Sequence, residues 1–382
     1  MEFKNIRVCH ISSMHNNWAD DRIYERACQG LAREGFDVHL VFTRPDVLPK
    51  EEGVRFHWID KREGWKRRWF SSIQAVNLAI KVKADIYQFH DPDLLPHIMR
   101  IKKALPNAKI IYDIHENFQA NFKQWGFPQF LGRLFRKYEI MKINQLDGFA
   151  AVTQSLKDLF PQLEKPGVVI RNTVDVHRLR HIKPEDILPF DIPTFYTSGS
   201  QSHARLVLQT VQSMKFISKD LNYRMMFAGR YYPGIKEELL AQARKDGTDL
   251  FLKLEGMLPW DENFKRTARA LCGCVFYENN QNNQIGTPNR IFEYMYSGIP
   301  IVVSDYPELR NIVEKAKCGL IVSSEKPEAI AEAFEFLLRN PEKAKEMGRN
   351  GRKAIFEDFG YHVDLKNTIE FYHQILNSQS IK

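Results

Sequence analysis

The feature that most constrains the fold is a strand–helix alternation that runs, pauses and runs again. In the first run, short apolar stretches (NIRVCHIS, FDVHLVF, ADIYQFHD, KIIYDIHE and DGFAAVT) are separated by segments of helical periodicity such as RIYERACQGLAREG and DLLPHIMRIKKALP. Strands joined through helices run parallel, and strands buried on both faces read as near-continuous apolar runs. The alternation pauses after GVVIRNTVD. The stretch from Val176 to Pro193, charged and holding Pro184 and Pro189, reads as a linker. It then resumes with PTFYTSG, YRMMFAG, LFLKLEG, GCVFYE, IVVS and GLIVSS.

The expected fold class is therefore α/β, with two doubly wound, Rossmann-like domains facing each other across a cleft. The first covers residues 1–175, the linker 176–193 and the second 194–357. Residues 358–382 form a helix expected to pack back on the first domain. Sheets of this kind bind ligands outside the carboxyl ends of their strands.

One stretch of the second half, Thr287 to Ser304 (TPNRIFEYMYSGIPIVVS), has the form of an anion-binding corner. Pro288 suits a first helical turn. Arg290 and Glu293 then lie one turn apart. Gly298 and Pro300 end the helix before the buried strand IVVS. A helix N-terminus attracts phosphate through its free N–H groups and its dipole.

No apolar run approaches the roughly 20 residues that span a bilayer, and the start reads as a strand rather than a signal peptide. The five cysteines (Cys9, Cys28, Cys272, Cys274 and Cys318) are odd in number and form no Cys-x-x-Cys pair. They imply a reducing, cytoplasmic setting and no zinc site. A formal net charge of +8 favours an anionic partner. Nucleic acid is not expected, because no aromatic reading surface accompanies the charge.

These residues carry a resemblance. PNRIFEYMYSGIPIVVSDYPELRNIV is similar to the Pro-x-Lys-x-x-Glu-Tyr-Met…Gly-x-Pro segment of GT-B glycosyltransferases of family 4, the retaining enzymes of bacterial surface-polysaccharide synthesis. HNNWADDRIYERACQGLAREGFDVHLV, QFHDPDLLP, IIYDIHENF and VVIRNTVD resemble further segments in the same order, so the likeness covers nearly the whole chain. It implies a nucleotide-diphosphate-sugar donor on the second half and an acceptor on the first. The acceptor is a hydroxyl of a glycan or lipid-linked glycan. No cofactor and no metal are expected.

Residue by residue, Glu293 falls on the glutamate that holds donor ribose. Arg205, in SGSQSHARLV after Gly199, falls on the arginine that meets the donor phosphates, with Arg290 in a lysine position. His115 falls on the strand-end histidine that contacts the donor sugar. His115, Arg205 and Glu293 are thus the catalytic candidates. The earlier glutamate of the family pattern is replaced by Ile285, which cannot accept a hydroxyl. Asn283, Gln284, Gly286, Thr287, Pro288 and Asn289 are the donor-side alternatives. Acceptor-side candidates are His15, Asp20, Arg22, His90, Asp91 and Glu116, with Asp91 read equally as a local cap before Pro92. Asn172 is a further candidate near the hinge.

Two segments mix cations with large apolar residues: Lys61 to Phe70 and Phe118 to Ile143. Both suit an anionic membrane surface, giving a cytoplasmic protein peripheral on the inner face of the cell membrane; they suit equally a lid with solvated cations. A sugar-nucleotide epimerase of the same fold and a non-catalytic transferase partner, the latter suggested by Ile285, remain alternatives.

Overall fold

The computed structural model describes residues 6–13, 21–46, 48, 53–60 and 64–378. Candidates His15 and Asp20 lie outside the described residues, as do Lys61, Arg62 and Glu63. The chain divides into two compact units. One holds the residues up to Arg171 together with those from Asp364 on, and the other is Asn172–Val363.

The first unit is built on β1 (Arg7–Ile11), β2 (Asp37–Thr43), β3 (Val54–Ile59), β4 (Ile86–Phe89), β5 (Lys109–Ile114), β6 (Gly148–Ala151) and β7 (Gly167–Val169). All pair in parallel, in the order β3-β2-β1-β4-β5-β6-β7. The winding reverses between β1 and β4, and a ligand crevice of this fold class forms at such a point. The sequence reading has no strand at β3. VRFHWI alternates buried Val54 and Phe56 with exposed Arg55, because β3 lies at the sheet edge and lacks the continuous apolar run of a central strand.

The second unit holds β8 (Thr194–Ser198), β9 (Arg224–Ala228), β10 (Leu252–Glu255), β11 (Cys272–Val275), β12 (Ile301–Ser304) and β13 (Gly319–Val322). All six are parallel, in the order β10-β9-β8-β11-β12-β13, and the winding reverses between β8 and β11. The central strands of each sheet are buried on both faces, which is why they were readable as apolar runs.

The stretch expected as a linker is packed structure. Val176–Leu179 is a helix capped by Asp175, and Leu179 and Ile182 are buried in the core of the second unit. The carbonyls of both accept the Tyr296 hydroxyl, at 3.0 and 3.2 Å. Charge and proline in this stretch mark turns on the unit's surface, not a free connection.

The last helix is Tyr361–Asn377. Its part from Asp364 on belongs to the first unit. Asp364 is fully buried and takes the Arg171 guanidinium, at 2.6 Å from Nη2 to Oδ1, and the Arg171 backbone N–H at 2.8 Å. Further along, Tyr372 donates its hydroxyl to Gln88 at the centre of the sheet. No helix among the described residues is long and apolar enough to cross a membrane.

Candidate active site

In the second unit the chain turns at the carboxyl end of β8 into Gly199 and then the tight turn His203–Arg205. A β-carbon on Gly199 would stand 3.1 Å from Arg205 Nη1, so the guanidinium lies directly against this backbone. At the carboxyl end of β11, Tyr277 presents its ring. Arg205 lies 5.6 Å and Arg290 5.1 Å from its centroid. Two guanidinium groups thus gather at one aromatic ring at the winding reversal between β8 and β11. Burial, and next the charge of Arg290, lower the Arg205 pKa; it remains a cation at any working pH. Arg290 is only 6% exposed, donates Nη1 to the Ser198 carbonyl at 2.9 Å, and has a buried Nε without a hydrogen-bond partner. Two cations gathered at one ring, each acting on the other's charge, favour a nearby anion.

The helix that carries Arg290 and Glu293 is Asn289–Tyr296. Pro288 sits at its N-cap, one position earlier than the first turn, with extended backbone and no side chain capping the free N–H groups. Asn289 Oδ1 is buried there without a partner. The helix is seated by Tyr294, whose hydroxyl accepts the Ser198 N–H at 3.2 Å. Gly273 in β11 makes room for that ring, since a β-carbon there would lie 2.1 Å from it. Gly298, with φ of +72°, ends the helix as its sequence position requires. Glu293 is half-buried one turn beyond Arg290.

Ile285 ends a short helix, Gln281–Ile285, capped by Asn280. Asn283 donates its side chain to the Glu278 carbonyl at 2.9 Å, and Gln284 donates to Asn279 at 2.8 Å. Both amides therefore fold back on their own loop instead of projecting from it. Gly286 and Thr287 connect this helix to Pro288. The carboxylate closest in sequence to Ile285 on its N-terminal side is Glu278, exposed at the end of β11.

In the first unit the reversal between β1 and β4 is filled by a buried polar cluster. Asp113, on β5, is 2% exposed and accepts Arg22 Nη2 at 2.7 and 2.9 Å and Gln88 Nε2 at 3.2 Å. His90 Nδ1 lies 3.1 Å and His115 Nε2 3.3 Å from Asp113 Oδ2. His10 Nδ1 meets His90 Nε2 at 3.0 Å. Arg22 also donates Nε to His115 Nε2 at 3.2 Å and Nη1 to the Ile170 carbonyl at 2.9 Å. Burial raises the Asp113 pKa, but Arg22 and the two histidines outweigh it and hold the carboxyl well below its usual range.

These contacts correct the acceptor-side reading. Arg22 is a buried counter-ion, and His90 is fully buried. Asp91 accepts the Ser12 hydroxyl at 2.8 Å and the Ser13 N–H at 2.7 Å, so it ties two loops together. Glu116 is exposed and accepts Asn121. His115, the donor-sugar candidate, is partly exposed, with its Nε2 turned into the cluster. Asp113 and His10 were missed, yet a charged or polar residue inside a doubly buried strand is itself a signal that partners must be supplied. His90, Asp113 and His115 converge closely enough to hold a metal ion. Arg22 already balances the Asp113 charge.

The cluster predicts a pH dependence. Burial, then His90, push the His10 pKa down to about 3, and burial lowers that of His90. A depressed histidine pKa means that the unfolded chain binds the proton more readily. Stability is therefore retained above about pH 6.5 and lost as pH falls below it. Glu139, pushed up to about 7 by burial, has the opposite sign and mutes the wild-type profile. The difference between wild type and His10→Gln isolates the histidine. Urea unfolding is expected to show the variant gaining about 2 kcal/mol relative to wild type between pH 7.5 and pH 5.

The family described as Glycosyltransferase Family 4 matches residues 22–178, and that described as Glycosyl transferases group 1 matches residues 212–354. Alpha-maltose-1-phosphate synthase of Mycolicibacterium smegmatis is 26% identical over 258 residues, 61% of this chain and 64% of that protein's length. The structure of sucrose-phosphate synthase from Thermosynechococcus elongatus shares the fold, with a TM-score of 0.75 at 14% identity, covering 98% of this chain and 100% of that one. Anabaena HepE in complex with UDP does so with a TM-score of 0.73 at 12% identity, covering 97% and 99%.

Proposed function

This chain belongs to the GT-B glycosyltransferases, and from that premise we propose that it moves a sugar from a nucleoside-diphosphate sugar to a hydroxyl of a glycan or lipid-linked glycan, with retention of anomeric configuration. The observation that carries the donor assignment is the pair of guanidinium groups over Tyr277 at the reversal between β8 and β11. Arg205 and the uncapped N-terminus of the Asn289–Tyr296 helix are assigned to the diphosphate, and Glu293 to the ribose hydroxyls. Arg290 reinforces the positive field from below. The UDP bound by HepE supports a uridine donor.

In this reading the C–O bond to the diphosphate breaks as the acceptor oxygen attacks from the same face, and a leaving phosphate oxygen takes the acceptor proton. The protein supplies positioning and stabilisation of the departing charge, and the step is assigned no metal. His115, its Nε2 held in the buried cluster, contributes its backbone and exposed ring edge to sugar binding. Nuclear magnetic resonance of the product from an α-linked donor tests the stereochemistry: an α product is expected, and a β product rejects the assignment.

The acceptor side includes a surface hairpin of two helices, Phe118–Gln124 and Gln129–Ile143. They cross tightly at Gly132, where a β-carbon would lie 2.7 Å from the Gln119 carbonyl. Phe122 and Phe135 pack between them. Phe130, Leu134 and Met141 form one stripe and, like Trp125 and Phe127, are about half exposed. Lys123, Arg133 and Lys137 lie exposed among them. Arg136 does not join this face: it donates to Asn117 and lies over Phe160. We assign the stripe to an anionic bilayer. Vesicles containing phosphatidylglycerol are expected to sediment the protein at low salt, and Phe130→Ser with Leu134→Ser to abolish this. Equal sedimentation of the variant would reject the surface.

A further inference from the structure

We propose that the second unit carries a separate site for a small phosphomonoester at the amino-terminal edge of its sheet, away from the strand ends that hold Arg205. A cavity of about 320 Å³ opens there, lined by residues that include Arg224, Lys253, Arg266 and Arg269. Strand geometry explains the convergence. Arg224 begins β9, and alternation gives it the same face as Met226. Lys253 of β10 is in register with Met226 and shares that face. The helix Trp260–Arg269 covers it, packing Phe264 in the same core cluster as Met226, and brings Arg266 and Arg269 one turn apart.

The charges are unevenly matched. Arg266 pairs with Glu255 and with Glu262, and Lys253 pairs with Glu255. Arg269 lies 4.3 Å from the Phe190 ring centroid and has no carboxylate partner among the described residues. Arg224 makes no side-chain hydrogen bond or ion pair among the described residues. A cation at the last turn of a helix suits the dipole and would account for Arg269 alone. It does not account for Arg224, half-buried on a strand facing the same cavity. Asp191, exposed beside Phe190, is the carboxylate of the lining.

Two guanidinium groups without carboxylate partners match the three oxygens of a phosphomonoester in the bidentate geometry arginine favours. Phe190 and Met226 give an apolar wall for the ring that bears it, and the volume is at the lower end of small-molecule sites, the size of a sugar phosphate. The site depends on nothing in the transferase reading.

Calorimetric titration of the full chain at low salt with inorganic phosphate and with glucose 6-phosphate tests it. Saturable binding of glucose 6-phosphate, tighter than that of inorganic phosphate, is expected in wild type and in Arg205→Ala. Arg224→Gln with Arg269→Gln is expected to weaken it at least about tenfold, the loss of one charge-assisted contact or more. If that double variant does not fold, Arg224→Gln alone serves, since it breaks no side-chain pair. Absence of saturable binding by both probes in wild type overturns the proposal. So does binding that is lost in Arg205→Ala and unchanged in the Arg224 variant.

Discussion

Arg205→Ala is expected to lower kcat/KM for sugar transfer by about 10²- to 10³-fold, the usual effect of removing one preorganised group that meets developing charge. The charge on the diphosphate grows as the glycosidic C–O bond breaks, so the loss should fall mainly on kcat. The fold should survive. Arg205 sits in a turn against Gly199 and the Tyr277 ring, and it is not a buried ion-pair partner. Arg205→Lys keeps the charge but not the fork, and is expected to recover activity in part. Steady-state kinetics with a cognate donor, alongside circular dichroism of each variant, checks this. An unchanged kcat in Arg205→Ala would remove the residue from the chemistry.

Arg22→Met is expected to cost about 3–5 kcal/mol of stability, because it leaves the Asp113 carboxylate buried without its counter-ion. The remaining partners, Gln88, His90 and His115, do not carry a fixed positive charge. Adding Asp113→Asn removes the stranded charge and is expected to restore at least half of the loss, which a double-mutant cycle by urea unfolding reads directly. A loss below about 1 kcal/mol in Arg22→Met would mean that the carboxyl is neutral in the folded protein, against the direction set by Arg22 and the two histidines.

These two residues also show what the sequence could and could not reveal. All six strands of the second sheet and all but the two edge strands, β3 and β7, in the first were legible, because strands buried on both faces leave apolar runs. Helix Asn289–Tyr296 was legible through Pro288 and Gly298, which bracket it by backbone chemistry. Arg205 and Arg290 were found as cations. Their shared partner Tyr277 was not, since an aromatic two residues past a strand looks like any core residue. Arg22 was read as facing the acceptor because a polar residue after a first strand usually reaches the crevice. Asp113 turns it inward, and no local pattern links residues so far apart in the chain. The linker reading failed for a related reason: Leu179 and Ile182 are only two apolar side chains in a charged stretch, and their burial depends on tertiary contacts with Tyr296.

The central claim is that the corner formed by Arg205, Arg290 and Glu293 binds a nucleoside diphosphate. Calorimetric titration of wild type and Glu293→Ala with uridine diphosphate tests it most directly. Saturable binding is predicted in wild type, weakened at least about tenfold by loss of a charged acceptor for the ribose hydroxyls. Binding of equal strength in both proteins, or none to wild type by any nucleoside diphosphate, would contradict it.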